Sequence, residues 1–289
     1  MQQTILPSWW KTNKPIKLPV LSKNIHLLLR LLGEQDLDYR ALSLQVSYYP
    51  AIAARIIYLA NSSWSAPASP ISELEQACNR LGSSVVRTVG IAMAIANTFD
   101  AGRCKGFDVE RFWLSSMLVA DAASMLLEHI PDNVWQAVRD KTAHTAGVLH
   151  LIGLLWLADN LPLETSHALH LADEQAISLQ LAMQQVLDTD YCSAGAWIAE
   201  QWNMPAVLVV SLRAHRDAEY RGAHWQMARL IGIAVNLVEI VTRTDNGVMA
   251  AELPDCDLLQ ISSVEQQRVL NKLLAQLEKS TELAKLMFG

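Results

Sequence analysis

Eight histidines, four cysteines and 29 acidic residues give this 289-residue chain the raw material for metal or nucleophile chemistry, and their spacing decides which is open to it. His167 and His170, with Glu164 and Asp173 close by, share one helix face. No HExxH pattern and no distant third ligand accompany them, so a solvated helix surface is expected there. His215 lies between Arg213 and Arg216. Guanidinium groups suit phosphates, so this is a candidate anion-binding corner, although charges clustered at a helix end are usually solvated. His150 sits inside the apolar run AGVLHLIGLLWLA, where a core histidine satisfied by one hydrogen bond is the favoured reading. Cys78, Cys104, Cys192 and Cys256 are far apart, with no CxxC pair and no recognisable Cys-His context, which argues against structural zinc, a disulfide framework or a thiolate nucleophile. The chain has no GxSxG elbow, Walker loop or GxGxxG fingerprint, and no cofactor is expected.

A formal net charge of −6 offers no field that would draw the chain onto nucleic acid or anionic lipid. Half of the residues (51%) are hydrophobic and there are only 12 glycines and 10 prolines, a composition that favours packed helices over linkers. The apolar run at 146–158 is shorter than the ~20 residues a bilayer span needs, and the first residues lack the basic and apolar regions of a signal peptide. Neither membrane nor nucleic acid is an expected partner, and the cytoplasm is the expected compartment.

The elements that must position these groups are all helices. Apolar residues at helical spacing predict a helix over 21–32 ended by Gly33, a short helix from Asp38 to Val46, and one over 51–60 opened by Pro50. Ser72 with Glu75, behind Ile71, forms an expected capping box for a helix ending at Gly82, and Ser83 or Ser84 opens the apolar helix VVRTVGIAMAIANTF, which closes the first helical half near residue 100. Asp108 caps a predicted helix to about His129. Further helices are expected near 133–140, 145–159, 173–187, 191–202, 206–216 and 225–243, then a turn at Asp245–Gly247 and a capping box, Ser262 with Glu265, opening a helix over 264–287. No stretch alternates at period two, so the fold class is all-α.

The order LPVL, then YPAIAARIIYLANSSW, a proline-broken loop and ISELEQACNRLG resembles the HDOD family, the HD-related output domains of bacterial signalling proteins. Pro50, Asn61, Ser62, Ala77, Leu81 and Gly82 fill the family's usual places, while Tyr49 replaces an acidic residue. ERFWLSSMLVADAA, TAGVLHLIGLLWLA and TDYCSAGAWIAEQWNMPAVLVVSLRAHR continue the likeness, which covers about Pro15 to Val241. It implies an N-terminal helical half over 16–100 and a degenerate HD-like half over 101–245; outside it, residues 1–15, with Pro7, Trp9, Trp10 and Pro15 and no periodicity, read as an irregular arm and 246–289 as a helical extension.

Active HD-superfamily phosphohydrolases hold divalent metal with a His, a His-Asp pair and a later Asp, and the metal activates water. By resemblance these positions fall on Ser115, on His150 with Leu151, and on Asn236, so one ligand of four is kept and no carboxylate adjoins His150. No metal is expected. A further family histidine appears as Tyr191, beside Asp190, while His215 remains. Asn61 is either a groove residue or a helix cap, and capping is favoured. The resemblance therefore implies a non-catalytic signal-transduction module that binds a regulatory protein, with His150, Asp190, Tyr191, Arg213, His215, Arg216 and Asn61 as its candidate ligand or partner site and a nucleotide as a candidate ligand of the Arg213, His215 and Arg216 corner. The alternative is a metal-dependent phosphohydrolase with a variant site built from His150, His215, Asp190 and Asn236.

Overall fold

A proline placed where a helix can spare its N–H opens the first well-packed element: Pro50 is the first residue of α2 (Pro50–Ala60), which buries Ile52, Ile56 and Leu59 at one-turn spacing. The computed structural model describes residues 39–96, 98–135, 142–242 and 253–288. Before α2 comes α1 (Tyr39–Ser47), and after it α3 (Leu74–Leu81), α4 (Ser83–Ala96), α5 (Val109–Leu127), α6 (Ala143–Leu149), α7 (Ile152–Asn160) and α8 (Pro162–Gln175). There follow α9 (Leu179–Leu187), α10 (Tyr191–Gln201), α11 (Ala206–Ala214), α12 (Trp225–Thr242) and α13 (Ser263–Phe288). Among the described residues there is no strand, and the all-α class stands.

By packing, the described residues form two units that interleave along the chain. The first unit comprises 39–96, 110–135, 142–148, 233–242 and 253–288; the second comprises 98–109 and 149–232.

In the first unit Asn61, just past α2, uses its whole amide. Its Nδ2 donates to Ile57 O (2.9 Å) and Ile71 O (2.7 Å), and its Oδ1 accepts from Ile71 N (2.8 Å). The side chain therefore caps α2 and closes the proline-broken loop by gripping both backbone groups of Ile71. That grip corrects the expected capping box at Ser72 and Glu75. With Ile71 held, the chain enters α3 only at Leu74, with extended Glu73 in the capping place and no side-chain cap bond. The second capping box does form: Ser262 N donates to Glu265 Oε2 (2.8 Å) and Glu265 N to Ser262 Oγ (3.3 Å). The helix it opens, α13, buries Val269, Leu270, Leu273, Leu283 and Ala284. Its backbone is also held along its length, Trp64 Nε1 donating to Lys279 O (2.7 Å) and Arg55 to Leu286 O.

Two expected helices are broken in the structure. The run at 145–159 is interrupted at His150 and Leu151, because the glycines on either side are committed to different neighbours. A Cβ on Gly147 would lie 2.5 Å from Ala120 Cα of α5, and one on Gly153 would lie 2.0 Å from Tyr191 O and 2.4 Å from Gly195 N of α10. The stretch expected as one helix over 173–187 is two. Pro162 opens α8, which ends at left-handed Ala176, and Ser178 caps α9 by accepting from Leu181 N (3.2 Å). Residues 132–134, expected to begin a helix, form a turn. The arm at 1–15, the helix at 21–32 with Gly33, the Asp38 cap, most of the 133–140 helix and the turn at 245–247 lie outside the described residues.

One described helix, α12, is long and apolar enough to cross a membrane, with a mean hydropathy of 1.2, but 67% of it is buried inside the protein. It serves as a core helix.

Gly153→Ala is the sharpest test of this packing. A helical Gly→Ala change alone gains up to ~1 kcal/mol, so a fall in Tm equivalent to about 1–3 kcal/mol or more is the signature of the backbone clash. Gly195→Ala, whose Cβ would meet Gly153 N at 3.3 Å, falls less in the same thermal melt.

Candidate functional site

The helix break in the second unit delivers His150 to the interior, where it is 2% exposed. His215, just past α11, is 4% exposed, and the two imidazoles pack edge to face with centroids 5.9 Å apart. Tyr191, the first residue of α10, places its ring 6.0 Å from that of His215. The three aromatic groups that sequence reasoning picked out are thus brought together as a buried layer. Close backbone approaches hold it: Gly153 lies against Tyr191 O, and a Cβ on Gly232 of α12 would lie 2.3 Å from His215 O.

The hydrogen bonds set the protonation of this layer. His215 Nδ1 lies 3.0 Å from both Ser211 O and Leu212 O, which only accept, so Nδ1 carries the proton. Its Nε2 lone pair faces Cys192 Sγ at 3.8 Å. Burial, followed by the nearby Arg216 charge, lowers the His215 pKa to about 4. Burial, with Asp190 second, pushes the Cys192 thiol up. A neutral imidazole beside a neutral thiol is therefore the stable state near pH 7, the reverse of an activated Cys-His pair. Spacing in the sequence gave no sign of this contact, because 23 residues separate the two.

Asp190 is buried and fully engaged. Its Oδ1 caps α10 by accepting from Ser193 N (2.8 Å), and its Oδ2 accepts from Gln180 Nε2 (2.9 Å) and Gln184 Nε2 (3.0 Å). Arg213 is exposed and paired with Glu200 at 2.5 Å, so it does not converge with buried His215 on one anion-binding corner; Arg216 is half-buried. Leu151 follows His150 in the break and offers no lone pair. Ser115, half-buried on α5, and Asn236, exposed on α12, belong to the first unit, as does the loop-closing Asn61. His167 and His170 lie on the exposed face of α8, where His170 pairs with Glu174 (3.1 Å). Among the described residues no group of three or more His, Cys, Asp or Glu side chains could hold a metal ion.

Sequence reasoning missed a second polar cluster, in the first unit. Ser84 Oγ on α4 lies 2.6 Å from Asp121 Oδ1 on α5 and 3.2 Å from His144 Nε2 on α6. The residue types are those of a hydrolytic triad, but the wiring is not. The serine proton goes to the carboxylate at the shorter distance, so His144 Nε2–H donates to Ser84 and cannot act as its base. Burial, then the Arg87 charge, lowers the His144 pKa to about 4, and burial raises that of Asp121.

Comparison with known proteins now identifies the class. The HDOD domain model matches residues 18–218, and the chain belongs to the HDOD family. A protein from Marinobacter aquaeolei VT8, provisionally described as a signal transduction protein, has the same fold (TM-score 0.80, 21% identity), the match covering 96% of this chain and 63% of that one. This chain thus spans less than two thirds of that relative. An HDOD domain protein of unknown function from Geobacter sulfurreducens matches with TM-score 0.70 and 18% identity over 94% of each chain. A protein from Shewanella amazonensis SB2B, provisionally described as a phosphohydrolase, matches with TM-score 0.63 and 23% identity over 93% of this chain and 95% of that one. No curated protein matches the chain significantly.

The two depressed histidines contribute to the acid sensitivity of the fold. Each has a folded pKa near 4 against 6.5 ordinarily, so the unfolded chain binds protons that the native state refuses. Their stabilising contribution is complete above about pH 6.5 and is lost as pH falls toward 4. In urea titrations from pH 7 to 4, His215→Gln and His144→Gln are each expected to flatten the decline in stability.

Proposed function

We propose that this HDOD chain is a non-catalytic regulatory module of bacterial signal transduction that acts by binding a protein partner. The observation that carries the reading is the occupant of the His-Asp step: Leu151 stands where an active HD site has a metal-binding carboxylate, and its neighbour His150 is packed against His215 in the interior. The description of the Marinobacter relative as a signal transduction protein supports the same role. Four buried cysteines, none in a disulfide, support a reducing cytoplasm as its place.

The alternative is hydrolysis of a phosphoester at a metal held by His150, His215, Asp190 and Asn236. It gains support from the proximity of the two imidazoles and the description of the Shewanella relative as a phosphohydrolase. Against it, the Asp190 carboxylate already serves a helix N-terminus and two glutamines, and His215 Nδ1–H is spent on two carbonyls. Only neutral imidazole nitrogens and an amide would remain to balance the ion's charge. A nucleotide as an allosteric ligand of Arg213 would first have to draw that guanidinium from Glu200.

Metal analysis separates the two readings. Tag-free protein from medium supplemented with manganese, iron and zinc is expected to carry far less than one metal per chain and to show no metal-stimulated release of nitrophenol from nitrophenyl phosphates. Near-stoichiometric metal that His150→Ala removes, together with hydrolysis, overturns the proposal.

A further inference from the structure

A carboxylate taken most of the way out of water needs either a proton or a positive partner, and the hydrogen bonds of Asp121 bring it no cation among the described residues. Its two hydrogen bonds are neutral: Ser84 Oγ donates to Oδ1 (2.6 Å) and Gln276 Nε2 to Oδ2 (3.3 Å). A carboxylate has about four acceptor positions, so roughly half of its capacity stays open. Asp121 also lies on the wall of a cavity of about 640 Å³, within the ~300–1,000 Å³ typical of small-molecule sites.

The rest of the lining says what such a molecule would be. Ser124 and Met125 follow Asp121 on the same face of α5 and Glu128 lies just past its end, giving a hydroxyl, an apolar surface and a second carboxylate at the rim. Ser83 and Ser84 add hydroxyls from α4, and Gln276 adds an amide from α13. Arg87 is the one cation in the described lining, and its charge bears on His144. With His144 neutral, two carboxylates outnumber one guanidinium, a balance that disfavours phosphates and favours a positive ligand.

We infer that this cavity binds a small molecule bearing an ammonium group, with Asp121 as its counter-charge and the serine hydroxyls and Gln276 as its polar partners. The raised Asp121 pKa agrees in direction: burial costs the charged form more than two neutral hydrogen bonds return, and an ammonium ion would supply the missing attraction. An amine and an amino acid share this group, and the test separates them. The site lies wholly in the first unit, so the inference does not depend on whether the His150 layer of the second unit binds metal.

The experiment is thermal unfolding and titration calorimetry of the full chain with ethanolamine, putrescine, agmatine, alanine and serine, and with N-acetylethanolamine as an uncharged twin. At least one amine or amino acid is expected to raise Tm, since a ligand of the native state must stabilise it, and the acetylated twin is expected to leave Tm unchanged. Binding by the amines alone names an amine site; preference for alanine or serine names an amino-acid site in which Arg87 faces the carboxylate. Asp121→Asn, which keeps an acceptor for Ser84, is expected to weaken binding about tenfold or more. Ser124→Lys, which places the protein's own ammonium in the cavity, is expected to abolish binding with Asp121 intact and decides the matter if Asp121→Asn fails to fold. No response to any of the five compounds, equal binding of the acetylated twin, or wild-type affinity in a folded variant overturns the inference.

Discussion

The second unit depends on backbone packed against backbone where no side chain fits. Gly153 on α7 touches the Tyr191 carbonyl and the Gly195 amide of α10, and Gly232 on α12 touches the His215 carbonyl. These approaches bring the start of α10 and the end of α11 close enough for His150, Tyr191 and His215 to share one buried layer. Asp190 then caps α10 from within that packing, its second oxygen taken by two glutamines of α9. His150, Tyr191, Asp190 and His215 thereby each hold a structural position.

Burial also fixes the chemistry of the layer. Imidazole and thiol both avoid charge in a low-dielectric interior, so His215 and Cys192 settle as a neutral pair, with the tautomer chosen by two backbone carbonyls. An HD metal site works the other way: imidazoles and carboxylates converge on an ion and lend it negative charge. Leu151, beside His150, offers an apolar side chain where the family likeness expects a carboxylate, and apolar surface favours a packed core. The same reasoning, applied to Asp121 in the first unit, gives the opposite outcome. There a carboxylate remains in an open cavity with only neutral donors, a place built for a positive guest.

Much of this was legible in the sequence, for reasons that can be named. Periodicity and prolines placed α2, α4 and α10–α13 closely, and the Ser262 and Glu265 box formed because both partners lie within one turn. Local rules failed where a distant contact outweighed them. Asn61 reaches ten residues ahead to Ile71 and shifts the start of α3, and the commitments of Gly147 and Gly153 break an apolar run that reads as one helix. The assignment of Ser115, His150, Leu151 and Asn236 to the family's ligand positions comes from the family likeness alone. The Cys192 and His215 contact and the Ser84, Asp121 and His144 cluster could not be named from the sequence, because tertiary packing brings together residues that no short motif links.

Imidazole NMR measures directly whether His215 is a neutral, Nδ1-protonated core residue beside His150. Two-dimensional nitrogen–proton spectra of nitrogen-15 histidine-labelled protein should show His215 as the neutral Nδ1–H tautomer from pH 7.5 to about 5, unchanged by added manganese or zinc. A His215 that titrates near 6.5, or whose ring signals and those of His150 shift together with one equivalent of metal, would contradict that reading.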